Sequence, residues 1–370
     1  MIKVLIVFGT RPETIKVAPI IKELKRFPDK FICQTCITGQ HRQMVEPLLN
    51  IFNIKPDFDL DIMRSNQTLE YITTNVVNKV SELVKLENPD YLMVQGDTTT
   101  AMAASLAAFY NRIKIAHIEA GLRTWNKYEP YPEEINRKII DSLSDLCFAH
   151  TEQAKNNLIK EGIESDKIKV TGNTVIDALL DVANKSLPME STILERLPHN
   201  NIKVILVTAH RRENFGQPII NICKAIKEIA KQRDDVYFIY PVHLNPNIQK
   251  PVYSHLGNIK NILLTAPLEY VEFVHLMKRS YIIMTDSGGL QEESPSLGKP
   301  VLVLRDVTER PEAVETGAIE VVGTDTQHIV NRFNTLIDDK GLYKQMSEAE
   351  NPYGDGKASY RIVRSILDCP

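Results

Sequence analysis

The chain has 370 residues, more than one hydrophobic core usually serves, and its 43% hydrophobic and 25% charged residues are ordinary for a folded protein, so two α/β domains are expected. A formal net charge of -3, with 44 basic against 47 acidic residues, leaves no electrostatic case for non-specific binding of nucleic acid or anionic membrane. No apolar run approaches the ~20 residues a membrane helix needs, and the start, Met1-Ile2-Lys3-Val4-Leu5, lacks the pattern of a secretory signal, so a cytoplasmic protein is expected.

Val4 to Phe8 is a buried-strand run that ends in Gly9-Thr10-Arg11-Pro12-Glu13, and a helix pattern follows from near Glu13, with Ile15, Ala18, Ile21 and Leu24 on one face. Phe31 to Thr38 is strand-like and carries Cys33 and Cys36. Residues three apart on a strand face opposite ways and no second C-x-x-C follows, so inert buried thiols are the expectation rather than a metal site. Tyr91 to Val94 is a strand leading to Gln95-Gly96-Asp97-Thr98-Thr99-Thr100, with a small-residue helix from Ala101 to about Tyr110. Ile113 to Ile118 runs into Glu119-Ala120-Gly121-Leu122-Arg123, a helix begins within Tyr131-Pro132-Glu133-Glu134-Ile135-Asn136-Arg137, and Leu146–Ala149 and Ile168–Val170 are further strands. The second half repeats the alternation. Val204–Val207 leads to Thr208-Ala209-His210-Arg211-Arg212, Val236–Tyr240 to Pro241-Val242-His243, Tyr281–Met284 to Thr285-Asp286-Ser287-Gly288-Gly289, and Val301–Leu304 to Arg305 through Pro311. The pattern predicts parallel sheets covered on both faces, with polar motifs just past the strand ends, where open α/β sheets bind ligands. Two such sheets facing a central cleft would share a site. The stretch from Lys185 to Asn201 is weakly patterned, and the boundary is placed at Gly172-Asn173.

Two nucleotide signatures are absent. The first strand-end loop lacks the G-x-G-x-x-G spacing, and Gly298-Lys299-Pro300 lacks the Ser or Thr of a P-loop. The strongest positive signal is Thr285 to Glu293: a strand end, two glycines and a helix start, which favours a phosphate through backbone N–H groups and the helix dipole. Ser287 adds a hydroxyl, and Glu293, one turn on, can accept from ribose hydroxyls. Arg11, Lys16, Arg211, Arg212 and Arg310 fall in or near strand-end loops, and several cations there favour an anionic ligand. Asp97, Glu119 and Glu133 are candidate proton-transfer groups. Helix capping by Asp97 and a dipole contact by Glu133 are the structural alternatives. His210 precedes two arginines and suits a leaving phosphate oxygen, whereas His117, apolar-flanked within a strand, reads as structural. No H-E-x-x-H or similar metal spacing occurs.

Taken in order from residue 8 to 356, these segments resemble the non-hydrolysing UDP-N-acetylglucosamine 2-epimerases. The resemblance is carried by Phe8 to Glu13, Gln40-His41-Arg42-Gln43-Met44, Gly96 to Thr100, His117 to Arg123 and Tyr131 to Arg137. It continues through Thr208 to Asn214, Tyr240 to His243, Asp286 through Pro300, Thr308 to Glu312 and Asn351-Pro352-Tyr353-Gly354-Asp355-Gly356.

It implies two Rossmann-like domains of the glycosyltransferase-B type. Residues 1–171, joined by a last helix at about 358–370, would carry the acid/base residues, and residues 172–357 would bind UDP. It also implies a homodimer, no nicotinamide and no metal. The C2 proton leaves, UDP departs anti to give 2-acetamidoglucal, and UDP adds back after protonation of the opposite face. By motif position, Asp97, Glu119, Glu133 and His210 match the family's catalytic residues, while Arg11, Lys16, Arg137, Arg211, Phe273, Ser287, Gly288, Gly289, Glu293 and Arg310 match nucleotide-sugar contacts. Gln40, Gln43, Arg211 and His243 match a second, activating UDP-N-acetylglucosamine site. Asn66 departs from it, standing where activator-binding members have arginine. A hydrolysing relative, an epimerase of a deoxy or uronic-acid UDP-amino sugar, and a glycosyltransferase of the same fold are the alternatives. The acid trio beside His210 favours epimerisation over transfer.

Overall fold

Runs of β-branched and aliphatic residues, too short for helices and without in–out alternation, become the central strands of two parallel sheets, as expected for sheets covered on both faces. A computed structural model describes residues 1–39, 42–64, 67–185, 193–198 and 202–368. The described part of the first sheet comprises β1 (Ile2–Phe8), β2 (Phe31–Ile37), β3 (Phe58–Asp59), β4 (Tyr91–Gln95), β5 (Lys114–Ala120), β6 (Leu146–Ala149) and β7 (Ile168–Val170). Its order is β3-β2-β1-β4-β5-β6-β7. The second sheet comprises β8 (Lys203–Thr208), β9 (Val236–Pro241), β10 (Ile262–Thr265), β11 (Ile282–Thr285), β12 (Val301–Val303) and β13 (Ile319–Val321), in the order β10-β9-β8-β11-β12-β13. Every pairing in both is parallel. Both are doubly wound sheets in which strand order reverses beside the first strand, between β1 and β4 in one and between β8 and β11 in the other.

The chain divides into two compact units, Met1–Ala178 with the segment from Tyr353 onward, and Leu179–Pro352. The division falls inside the helix Thr174–Ala183. In the first unit, Val4, Ile6 and Phe8 of β1 face the helices Arg11–Leu24 and Ala358–Asp368, whose Ile362, Val363 and Ile366 join that core. The opposite face of the sheet packs Leu5 and Val7 on Val76, Val80 and the alanine-rich helix Thr99–Tyr110. The last helix is fastened at its start by buried Asp177, which accepts from the N–H groups of Ala358 (3.1 Å) and Ser359 (2.8 Å). In the second unit, Val207, Phe238 and Met284 pack under the helix Gln217–Gln232.

The structure differs from the pattern expected of the sequence in three places. The helix after β1 starts at Arg11, not near Glu13, because Thr10 is its N-cap and Pro12 stands in the first turn, where proline's missing N–H costs nothing. The cap of the helix Thr99–Tyr110 is Thr98, whose hydroxyl accepts from Ala101 N–H at 3.0 Å, so Asp97 is not the cap. Strands β3, β10 and β13 were not anticipated. Cys33 and Cys36 do lie on opposite faces of β2, and burial pushes their thiols up to about 11 and about 12. Among the described residues no helix is long and apolar enough to cross a membrane, and no three or more His, Cys, Asp and Glu residues gather as a metal site.

Candidate functional site

The switch point of the first sheet is built around a buried carboxylate. Glu13, 1% exposed, accepts from Gly9 N–H (3.0 Å) and Thr10 N–H (2.7 Å) beyond β1, and from the Thr98 hydroxyl (2.6 Å) beyond β4. Burial raises its pKa, and these hydrogen bonds only partly oppose the rise. Gly9 is dictated by space, since a methyl group there would lie 2.1 Å from the Thr38 hydroxyl. Arg11 opens the following helix and Lys16 sits about one turn further on.

Asp97, just past β4, accepts from Arg137 through Nε (2.9 Å) and Nη2 (2.6 Å), and Asn136 donates to its carbonyl at 2.9 Å. Glu119 lies in β5 where the pairing with β6 shifts register, and its φ is +68°, a left-handed backbone that non-glycine residues seldom adopt. Its carboxylate pairs with Lys16, and Gln95 donates to it at 3.3 Å. Glu133 is the first residue of the helix Glu133–Leu143. Its Oε2 atom is buried and has no hydrogen-bond partner among the described residues. The adjacent Glu134, fully buried, accepts from Thr124 N–H and Trp125 N–H (both 3.0 Å) and from Arg137 (3.1 Å), tying the loop after Glu119 to the helix that begins with Glu133. The first unit therefore pairs Asp97, just past β4, with Arg137 and Glu119, near the end of β5, with Lys16, and Glu133 opens the helix that carries Arg137. Two of the acids are matched by cations, and the third presents an unsatisfied oxygen.

His117 is buried with both ring nitrogens engaged, as a structural histidine should be.

The second unit is organised the same way. Asp286 follows β11 and is fully buried. Its Oδ2 accepts from His210 N–H (2.7 Å), Arg211 N–H (2.8 Å) and Asn214 Nδ2 (2.9 Å), all beyond β8. His210 Nδ1 stands 3.6 Å from Asp286 Oδ1, and its ring stacks on His243 with centroids 5.4 Å apart. Burial lowers the His210 pKa, helped by the neighbouring His243 and Arg211, and the Asp286 charge opposes this without prevailing, so the imidazole is neutral near pH 7.

Ser287 leads into the helix Gly288–Glu293 and its side chain makes no capping bond there. A methyl group on Gly288 would lie 3.4 Å from a guanidinium nitrogen of each of Arg211 and Arg310, so two cations flank this helix start. Gly289 is exposed beside Glu293, and Arg310 is held by Glu292 at 2.5 Å. Phe273 is half-buried on the helix Tyr270–Arg279. Backbone N–H groups at a strand-to-helix turn and two guanidinium groups thus lie side by side here. Gln40 and Asn66 lie outside the described residues, and Gln43 is placed only as part of the helix Arg42–Ile51. Sequence reasoning missed the buried organisers Glu13, Glu134 and Asp286 as such, since each serves partners that are remote or reached through backbone N–H groups.

Two Rossmann-like domains of the glycosyltransferase-B-like class carry these groups. The family profile described as "UDP-N-acetylglucosamine 2-epimerase" matches residues 22–367. The UDP-N-acetylglucosamine 2-epimerase of Neisseria meningitidis serogroup A is 52% identical over 371 residues, covering 99% of each chain. That of Campylobacter jejuni is 51% identical over 373 residues, covering 99% of this chain and 97% of that one. The crystal structure of the Neisseria meningitidis enzyme bound to UDP-GlcNAc superposes with a TM-score of 0.87 at 51% identity, over 99% of this chain and 100% of that one. The chain belongs to the UDP-N-acetylglucosamine 2-epimerase family.

Proposed function

We propose that this protein is a cytoplasmic, homodimeric, non-hydrolysing epimerase that interconverts UDP-N-acetylglucosamine and UDP-N-acetylmannosamine at C2. The observation that carries the reading is the set of three carboxylates of the first unit, Asp97 paired with Arg137, Glu119 paired with Lys16, and Glu133 with a buried oxygen that has no hydrogen-bond partner among the described residues. Proton abstraction beside an acetal carbon needs such a base, shielded from water.

The step balances without oxidant or metal. A carboxylate takes the C2 proton, the C–H electrons form the C1–C2 double bond, and the C1–O bond breaks with its pair leaving on the β-phosphate oxygen of UDP. Returning a proton to the other face of C2, while that oxygen re-forms its bond to C1, gives the epimer. In this reading Arg211, Arg310 and the Ser287-Gly288-Gly289 turn hold the diphosphate, with Arg11 and Phe273 as further contacts. Glu293 accepts from the ribose, and His210, neutral near pH 7, donates to the leaving oxygen. An activating second UDP-N-acetylglucosamine belongs to the reading through Arg211 and His243, the latter stacked on His210. Asn66, in place of an arginine, weakens that subsite.

The test is an NMR time course in deuterium oxide with UDP-N-acetylglucosamine as sole substrate. UDP-N-acetylmannosamine carrying deuterium at C2 is expected. Product without deuterium rules out proton abstraction, free N-acetylmannosamine accumulating with UDP identifies a hydrolase, and no turnover points to a different UDP-amino sugar.

A further inference from the structure

Asp141 and His117 play no part in the chemistry above, yet they are 1% and 0% exposed, and ionisable side chains are not buried so completely without compensation. His117 Nε2 lies 2.7 Å from the carbonyl oxygen of Gly96. A carbonyl can only accept, so Nε2 carries a hydrogen and the ring orientation is set. His117 Nδ1 lies 2.6 Å from Asp141 Oδ1. The other oxygen of Asp141 accepts from Gly121 N–H (3.3 Å) and from Arg123 Nη2 (2.6 Å).

These contacts reach the residue before Asp97 and both sides of Glu119, and Asp141 shares a helix with Glu133. Gly96 immediately precedes Asp97. His117 and Gly121 stand two residues either side of Glu119, whose left-handed backbone persists only where its surroundings over-determine it. Asp141 is itself on the helix Glu133–Leu143, about two turns beyond Glu133. The approach at Gly121 is equally tight, since a methyl group there would lie 2.2 Å from the Ala154 carbonyl oxygen.

We propose that Asp141, acting through His117, Gly121 and Arg123, is the positioning residue that holds Asp97, Glu119 and Glu133 in one arrangement. The inference rests on the reading of those acids as the proton-transfer group. Asp141 itself touches no reacting atom; it sets where three carboxylates stand.

The test compares Asp141→Asn with wild type in four readouts: kcat, KM for UDP-N-acetylglucosamine, UDP affinity by calorimetry, and the rate of deuterium entry at C2. Displacing catalytic groups by about an ångström costs on the order of 100-fold in rate. A kcat lower by about that factor is expected, with deuterium entry falling in parallel while KM and UDP affinity stay within about threefold. Wild-type kcat overturns the proposal, and so does a loss that vanishes once rates are expressed per UDP-binding site, because a merely structural residue acts through the amount of folded protein.

His117→Gln and His117→Ala provide a second route. The glutamine amide keeps a donor for the Gly96 carbonyl, so its kcat per UDP-binding site should lie above that of the alanine variant and below wild type. Equal wild-type values in both refute the proposal. Asp97→Asn, Glu119→Gln and Glu133→Gln assayed alongside separate the two claims. Normal turnover in all three sinks the acid/base reading, whereas their inactivity beside a normal Asp141→Asn sinks only the positioning role.

Discussion

Asp286→Ala tests the architecture of the second unit directly. In the wild type, Oδ2 of this fully buried carboxylate accepts three hydrogen bonds of 2.7, 2.8 and 2.9 Å from the loop beyond β8. Stranding a buried donor costs about 1–3 kcal/mol. His210 and Arg211 are only half-buried, and Asn214 keeps its 3.1 Å bond to the Leu304 carbonyl. The lower end of that range therefore applies, about 3 kcal/mol in all. Against this, the other oxygen, Oδ1, is buried without a hydrogen-bond partner among the described residues, and its removal returns part of the loss. A net destabilisation of about 2–3 kcal/mol lowers the melting temperature of a domain of this size by roughly 4–12 °C. Asp286→Asn keeps one acceptor oxygen and the volume, so its loss should be about 1 kcal/mol. Differential scanning calorimetry reads the melting temperatures, and titration calorimetry with UDP should show an affinity at least about tenfold weaker for the alanine variant, because His210 and Arg211, the proposed UDP contacts, lose their anchor. An alanine variant that melts within about 1 °C of wild type and binds UDP equally well would show that the carboxylate does not fasten this loop.

Two further outcomes are expected. Asp97→Asn, Glu119→Gln and Glu133→Gln should each lower turnover by about 10²–10⁴-fold, measured by coupled assay or NMR, with far-ultraviolet circular dichroism unchanged. The Arg305 guanidinium, hydrogen-bonded to Glu309 at 2.7 and 2.8 Å, holds that carboxyl at about 2, against the opposing effect of partial burial. A depressed folded-state pKa stabilises above the unfolded value and ceases to do so as pH falls through the folded one. Urea midpoints of wild type and Arg305→Met should therefore differ at pH 6 and converge as pH drops from about 4.5 toward 2; a gap that stays constant with pH contradicts the assignment.

The two sheets and their ligand-bearing edges were legible because each strand run ends at a polar motif, as at Val94-Gln95-Gly96-Asp97 and Met284-Thr285-Asp286-Ser287. The strands that escaped are short or at the margins: Phe58–Asp59 and Ile319–Val321 offer too few residues for any periodicity. Asp97 illustrates a different limit. Local chemistry offers an acid before Thr98-Thr99-Thr100 as a helix cap, but Arg137, forty residues along, takes its carboxylate at 2.6 Å, and the adjacent threonine caps instead. Asp141 could not have been singled out at all. On an amphipathic helix pattern it is one more polar residue, and its partners His117 and Arg123 lie 24 and 18 positions away. What stays hidden in one dimension is the buried carboxylate that serves several remote donors.

The backbone at Glu119 has an implication for anyone reshaping this protein. A glycine would occupy φ of +68° without steric strain, though at a larger entropy cost on folding, whereas glutamate gives up roughly 1 kcal/mol to stay there. Relief of that backbone strain is set against the loss of the pairing with Lys16 and of the hydrogen bond from Gln95, so the backbone conformation alone does not decide the stability of a substitution there. Anyone replacing Glu119 has to provide for Lys16 at the same time, because a substitution chosen for its backbone alone leaves that cation short of its partner.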